Sequence, residues 1–351
     1  MLVTLFLTFS AALLAFLFCL MVIRRAQKWA LMDKPNHRSS HSMPTPSGGG
    51  IGLVVAGSLV GIYFLMAVRA DLYLAVVLIT SCILAAVGLH DDRNPMPARW
   101  RLGIQVISAA VFLSVLGGLP EIQRFVDAWF SRTLMYAFLL LVVVWWINLF
   151  NFMDGIDGLA GLQAVFMLVA GASLMVWQRH DLLTNAAIGW MVCISGATIG
   201  FLILNWTPAK IFMGDVGSVY LAFMLLSFGL LSIRYEFVSV VTGLAMWAIL
   251  GAAFATDATI TLITRILTIK RWYEAHRSHV YQRLSRRLGS HPQVVLLYTA
   301  VNVLWLLPLA FVCLLHPNWA VVWAMIAYVP LIVLAIILGA GRQDQKTLKA
   351  G

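Results

Sequence analysis

The chain has 351 residues, of which 62% are hydrophobic and 11% charged, and its formal net charge is +10. A soluble domain carries roughly 25% charged residues, so these values exclude an ordinary soluble enzyme and indicate an all-α, polytopic integral membrane protein. Four cysteines (Cys19, Cys82, Cys193 and Cys313) lie far apart inside apolar runs with no C-x-x-C spacing, which argues against metal or disulfide roles and favours buried apolar thiols.

In chain order, apolar spans are predicted at about 2–23, 48–68, 72–89, 103–119, 133–149, 160–177, 182–204, 217–233, 237–260, 293–314 and 319–339. That makes about 11 transmembrane helices, each near the ~20 residues that cross a bilayer. Arg24 and Arg25 follow the first run, and no basic segment or A-x-A site marks it for cleavage, so it reads as an uncleaved helix. Gly251 is a candidate break in the long ninth span, and Pro308 and Pro330 are candidate kinks. No repeat or long linker divides residues 1–351, which are expected to form a single transmembrane domain.

Loops at about 24–47, 90–102, 150–159, 205–216 and 261–292, with the C-terminal 340–351, hold 19 of the 24 Lys and Arg; the other side holds Arg69, Arg124, Arg132, Arg179 and Arg234. The positive-inside rule makes the richer side cytoplasmic, with the N-terminus out and the C-terminus in. Nine acids on that side, Glu274 and Asp344 among them, against five outside leave the whole +10 on the cytoplasmic face. Topogenesis and anionic lipid account for much of this, and a basin for a polyanionic substrate fits it too. No nucleic-acid partner is expected.

Four acidic positions share that membrane edge: Asp91 with Asp92, Asp154 with Asp157, Asp215, and Asp257. Charges near spans are costly and tend to face partners or water. Carboxylates with carboxamides and no thiols suit a hard cation that keeps water and substrate phosphate as ligands. The i, i+3 series Asn148, Asn151, Asp154, Asp157 would set four oxygen-bearing side chains on one helical face. The segment 265–292 reads as a basic amphipathic helix on the lipid surface, with His276 and His279 projecting together. The glycines of "MPTPSGGGIG" (43–52) lack the G-K-[ST] of a P-loop.

The ordered blocks "DKPNHRSSHSMPTPSGGG", "HDDRNPMPARWRLGIQ", "NLFNFMDGIDGLAG", "NWTPAKIFMGDVGS", "DATITLITR" and "HRSHVYQRL" resemble the polyprenyl-phosphate N-acetylhexosamine-1-phosphate transferases. That resemblance implies transfer of a sugar-1-phosphate from a UDP-N-acetyl sugar to undecaprenyl phosphate, with loss of UMP and a requirement for Mg²⁺, or Mn²⁺ in its place. It implies a bacterial inner-membrane enzyme facing the cytoplasm, with membrane lipids around it and a homodimer as a candidate assembly. By the same resemblance Asp215 is the metal ligand, and Asp91 and Asp92 position metal or phosphate or activate the lipid phosphate. Asn148, Asn151, Asp154 and Asp157 form the nucleotide-sugar block, Phe212 stacks on uracil, and Asn205 and Arg101 line the same cleft. His276, Arg277 and His279 match the family's histidine block, with Ser278 in place of its middle histidine. That variant resembles enzymes that start O-antigen with 6-deoxy sugars such as FucNAc or QuiNAc, beside the GlcNAc branch. Ser47 stands where the family often has Arg, which weakens any phosphate contact there.

Arg101, His276, Arg277 and His279 are expected to offset repulsion between the phosphate dianion and the diphosphate. A secondary transporter of an anionic substrate is the rival reading; it calls for paired interrupted helices and acids near the bilayer midplane.

Overall fold

The computed structural model describes residues 2–33, 35, 43–67, 71–117, 129–269 and 276–342, with 129–132 described by backbone alone. Arg69, Arg124, Glu274, Asp344 and most of the "DKPNHRSSHS" block lie outside the described residues.

The apolar runs form α1 (Leu2–Arg25), α2 (Gly50–Ala67), α3 (Leu72–Arg93), α4 (Ala98–Leu116), α5 (Trp129–Phe152), α6 (Leu159–Gln178), α7 (Ala186–Asn205) and α8 (Asp215–Arg234). They continue as α9 (Val240–Leu250), α10 (Ala252–Thr268), the short α11 (Val280–Leu288), α12 (His291–Leu315) and α13 (Ala320–Ile337). Ten described helices are long and apolar enough to cross a membrane, and the bent pair α9–α10 makes up to 11. The protein is an integral membrane protein of helices, with one two-stranded ribbon among the described residues, β1 (Met32–Asp33) against β2 (Thr45–Pro46), pairing Met32 with Pro46 and Asp33 with Thr45. All four cysteines are free.

Polar residues set the helix starts. The Asp71 carboxylate accepts from the Tyr73 and Leu74 N–H groups at the head of α3, and the Asn185 carbonyl accepts from Ala187 at the head of α7. Burial then sorts the helices. Of their spanning residues, α8 buries 94% and α7 83%, whereas α1 buries 22% and the terminal α13 region 17%. α8 is therefore the central post, and its N-terminus opens at one end of the bundle at Asp215.

The predicted ninth span breaks by 74° at Gly251 and continues to Thr268, so the first part of the expected 261–292 loop is helix. A β-carbon at Gly251 would press on the Trp146 ring. In hydrocarbon the carbonyls freed by a break need partners, and the Gln163 amide donates to Leu250 O at 3.1 Å while Asn302 donates to Gln163 at 2.7 Å. Asn302 starts a π-helical turn (Asn302–Leu306) that precedes Pro308, whereas α13 runs through Pro330 as one helix. The 265–292 expectation keeps its amphipathic part in α11, which buries Val280 and Tyr281 and carries Arg283, Arg286 and Arg287.

Candidate active site

The glycine run after β2 brings two loops together. Gly49 N–H donates to Phe212 O (2.8 Å) and Gly50 N–H to Met213 O (2.9 Å), while Phe212 N–H donates to Pro46 O (2.8 Å). Gly50 lies so close to the Gly217 backbone that a β-carbon would overlap it. The "SGGG" segment thus acts through close backbone approach and straps down "FMGD". Gly214 has φ +74°, in the left-handed region, and a β-carbon there would strike Asp92.

α3 extends past its predicted end to Arg93 and carries both aspartates of the pair, which then part company. Adjacent helical residues point about 100° apart. Asp91 accepts from Met96 N–H (2.6 Å) and from the Arg101 guanidinium (2.5 Å), which also reaches Asp215 at 3.2 Å. Asp92 turns to the head of α8 and accepts from Asp215 N–H (2.8 Å) and Val216 N–H (3.1 Å). It caps the central helix from outside, where free N–H groups and the helix dipole favour an anion.

The predicted carboxamide–carboxylate ladder does not form. α5 ends at Phe152, and Asp154 and Asp157 lie in the following loop. Asn148 donates to Gln105 (2.7 Å) and ties α5 to α4. Asn151 donates to Ser218 (3.2 Å), whose hydroxyl donates to Gly214 O (3.1 Å). Asn205 clamps two loops, accepting from Gly158 N–H (2.9 Å) and donating to Ile211 O (2.8 Å).

These loops enclose a cavity of about 440 Å³ at the head of α8, lined by Asp92, Asn151, Asp154, Asp157, Asn205, Phe212 and Asp215. Asp33, Ser47, Ser218, Gln282 and His291 join them. Asp157 is well partnered: Thr207 Oγ1 donates at 3.0 Å, Ala209 N–H at 3.3 Å, and His291 Nδ1 stands at 3.4 Å. Burial pushes its carboxyl up, but the His291, Thr207 and Ala209 contacts outweigh that and hold it below the usual carboxylate range. The Asp154 carboxylate has no hydrogen-bond partner among the described residues. Burial, with repulsion from Asp215, Asp92 and Asp157, pushes its carboxyl up to about 8.

Asp91, Arg101, Asn148, His276, Arg277 and His279 are not among the described residues lining the cavity. The histidine block sits on Asp257 instead. That buried carboxylate accepts from Val280 N–H (2.8 Å), Tyr281 N–H (3.0 Å) and the Tyr298 hydroxyl (2.7 Å), with His279 Nδ1 3.4 Å away. Asp257 thus caps α11 as Asp92 caps α8. His276 stacks on His279 with ring centroids 5.1 Å apart. Burial first, then the positive fields of His279 and Arg265, push its imidazole down to about 3, so it is neutral. Arg101 is committed to two carboxylates. Two of the four expected cations, His276 and Arg101, are therefore not free to offset substrate charge. Tyr281 links the block to the cavity loop by donating to Phe152 O (3.0 Å).

His291, like Ser218 and Gln282, lines the cavity although sequence reasoning passed over it. The signal was present in "SHPQ", where a capping Ser290 and Pro292 mark a helix start; only the fold sets that start beside Asp157.

Among the described residues no three acidic, histidine or cysteine side chains converge on one ligation point. The donors are nevertheless all oxygens, with an unpartnered Asp154 carboxylate repelled by its neighbours. That set fits a hard divalent cation that takes few protein oxygens and completes its shell with water and phosphate.

Taken together, the fold and cavity define an integral membrane protein with a carboxylate-lined polar cleft at one end of its bundle. Residues 74–233 match glycosyl transferase family 4. The chain is 28% identical, over 85% of its length and 82% of the relative's, to a probable undecaprenyl-phosphate N-acetylglucosaminyl 1-phosphate transferase of Bacillus subtilis. It is 32% identical to a phospho-N-acetylmuramoyl-pentapeptide-transferase of Streptococcus equi subsp. zooepidemicus over 60% of this chain and 66% of that one. A decaprenyl-phosphate N-acetylglucosaminephosphotransferase of Mycobacterium leprae is 26% identical over 75% and 72%. Across residues 74–233 the chain is similar to glycosyl transferase family 4, and its relatives carry that similarity beyond the segment. The matched segment contains Asp91 through Asp215; Asp257, the histidine block and His291 fall beyond it.

Proposed function

We propose that the protein transfers an N-acetylhexosamine-1-phosphate from a UDP-sugar to undecaprenyl phosphate. A lipid phosphate oxygen bonds to the β-phosphorus, the bond to the bridging oxygen breaks, and UMP leaves with that oxygen. The observation that carries this reading is the polar cleft at the head of the central helix, with Asp215, Asp154 and Phe212 facing one cavity. The Lys and Arg asymmetry supports a cleft that faces the cytoplasm, where UDP-sugars are made, and the family resemblance supports a bacterial inner membrane.

Asp215 and Asp154 would hold Mg²⁺, which supplies neutralisation of the diphosphate and of the departing UMP. The lipid phosphate has a second pKa of about 6 and is largely a dianion at neutral pH, so a strong general base is not needed. Both oxygens of Asp91 and both of Asp92 are already engaged with N–H donors, which supports positioning roles for the pair. Asp91 orients Arg101 toward Asp215, and Asp92 fixes the loop that presents Asp215. Phe212 offers a ring face to uracil. The histidine block braces the Asp154 loop through Tyr281.

The sugar is GlcNAc or a 6-deoxy N-acetylhexosamine, and the product would start O-antigen or a related surface polysaccharide. A carrier would need paired interrupted helices; among the described residues one pair is bent and the carboxylates gather at one end. Purified protein given undecaprenyl phosphate, Mg²⁺ and a panel of UDP-N-acetyl sugars should release UMP with at least one of them. A folded preparation that turns over none would overturn the proposal.

A further inference from the structure

The cavity presents a charge problem. Asp33, Asp92, Asp154, Asp157 and Asp215 all line it, and among the described residues no lysine or arginine does. A nucleotide diphosphate brings more negative charge into the same space. One divalent cation near Asp215 and Asp154 cannot lie beside every phosphate oxygen. The sequence motif that seemed to supply cations, His276–His279, is anchored on Asp257 and absent from the described lining.

One side chain in the lining combines a partner in the protein with a group left over for a ligand. His291 begins α12 behind the Ser290 cap, and its side chain is 18% exposed. Its Nδ1 faces Asp157 Oδ2 at 3.4 Å, and Asp157 is itself fixed by Thr207 and Ala209. Nε2 has no hydrogen-bond partner among the described residues. A carboxylate facing one ring nitrogen fixes the orientation of an imidazole and commits the other nitrogen to whatever enters the site. Gln282, from the first turn of α11, lines the same cavity and can contribute a carboxamide there.

Resting on the nucleotide-sugar reading above, we infer that His291 is a substrate-binding residue that contacts a phosphate of the UDP-sugar through Nε2, with Asp157 as its positioning residue. Between the Asp157 carboxylate and a phosphate oxygen the ring presents a nitrogen to each side, Nδ1 to Asp157 and Nε2 to the phosphate. Asp157 is then a support for His291 and not a metal ligand. This gives the two carboxylates of "DGID" separate tasks, Asp154 facing the cation site and Asp157 facing the imidazole.

The test uses the full-length protein in detergent and has two readouts. The first is KM and kcat for the UDP-N-acetyl sugar that the wild type turns over. The second is direct binding of UMP and of uridine by calorimetry, which needs no turnover. His291→Gln keeps polarity and approximate size but loses the imidazole that Asp157 orients. A hydrogen bond to a charged group contributes enough for about a 10–100-fold effect. The expected result is a KM raised by about that factor with kcat changed less, and UMP binding weakened to match. Uridine binding should be unchanged. His291→Arg should recover most of the UMP affinity, which a purely structural role for the imidazole would not allow.

Unchanged KM and UMP affinity in a folded His291→Gln protein would overturn the inference while leaving the transferase reading intact. Equal weakening of uridine and UMP would also overturn it, because the contact would then not be to phosphate. Wild-type protein that binds no UMP would sink both, whereas normal turnover with an indifferent His291 sinks this one alone.

Discussion

Replacing Asp92 by asparagine should destabilise the ligand-free protein, and the sign of the effect is the informative part. Asp92 sits among carboxylates, so a free acid at this position would be relieved by neutralisation. The structure instead gives each of its oxygens a backbone N–H at the head of the most buried helix, at 2.8 and 3.1 Å. Asparagine keeps one oxygen for one of those donors and turns its NH₂ group against the other. A hydrogen bond to a charged acceptor is worth about 1.5–3 kcal/mol, and an orphaned buried donor costs about 1–3 kcal/mol more. Relief of like-charge repulsion offsets part of this and leaves a loss of about 2 kcal/mol, in the range of a deleted helix cap. The assay is unfolding in mixed micelles with increasing SDS at neutral pH, followed by tryptophan fluorescence. Asp154→Asn is the internal contrast, because Asp154 has no protein partner to lose. Its carboxyl is raised from 3.8 to about 8, so its cost to the fold grows as pH climbs between those values. The Asp154→Asn protein should be at least as stable as wild type and should lack that slope. An Asp92→Asn protein as stable as wild type, or more so, would refute the capping role.

Other consequences are open to the same measurements. Asp257→Asn should cost about 3 kcal/mol by stranding a donor at the head of α11, and faster proteolysis within α11 should accompany it. Gly50→Ala should cost about 1–3 kcal/mol by overpacking, because the neighbour is the Gly217 backbone, and UMP release should fall with the displaced "FMGD" loop. Gln163→Leu should destabilise by about 1–3 kcal/mol by leaving the polar groups at the α9–α10 break unpaired. The His276 pKa is lowered from 6.5 to about 3, so the unfolded chain takes up its proton first. The resulting stability is complete above 6.5 and lost as pH falls toward about 3; His276→Phe should flatten that slope in acid-unfolding curves.

The helices were legible because the hydrocarbon lengths that cross a bilayer are written directly into the chain. The end of the bundle where chemistry would occur was legible too, since Asp92, Asp154, Asp157 and Asp215 are costly at any apolar boundary. What each carboxylate does was not. Adjacency of Asp91 and Asp92 suggests a joint role, but neighbours on a helix diverge, and only packing against α8 reveals one of them as a cap. The Asn148–Asp157 ladder assumed a helix that stops at Phe152. His276 and His279 look like free imidazoles until Asp257, distant in sequence, is found beneath them. The break at Gly251 was visible as a candidate. The Gln163–Asn302 pair that satisfies it joins residues 139 positions apart, and such a pairing has no local signature.

The cleft itself is tested most directly by UMP release from a UDP-N-acetyl sugar and undecaprenyl phosphate, compared between wild type and Asp215→Asn over a Mg²⁺ titration. If transfer occurs at the head of α8, the wild type turns over only with the cation. The folded variant should then fall by about 1000-fold or more, the scale lost when electrostatic stabilisation of a transition state is removed. Turnover by Asp215→Asn at the wild-type rate, with the same Mg²⁺ dependence, would place the chemistry elsewhere.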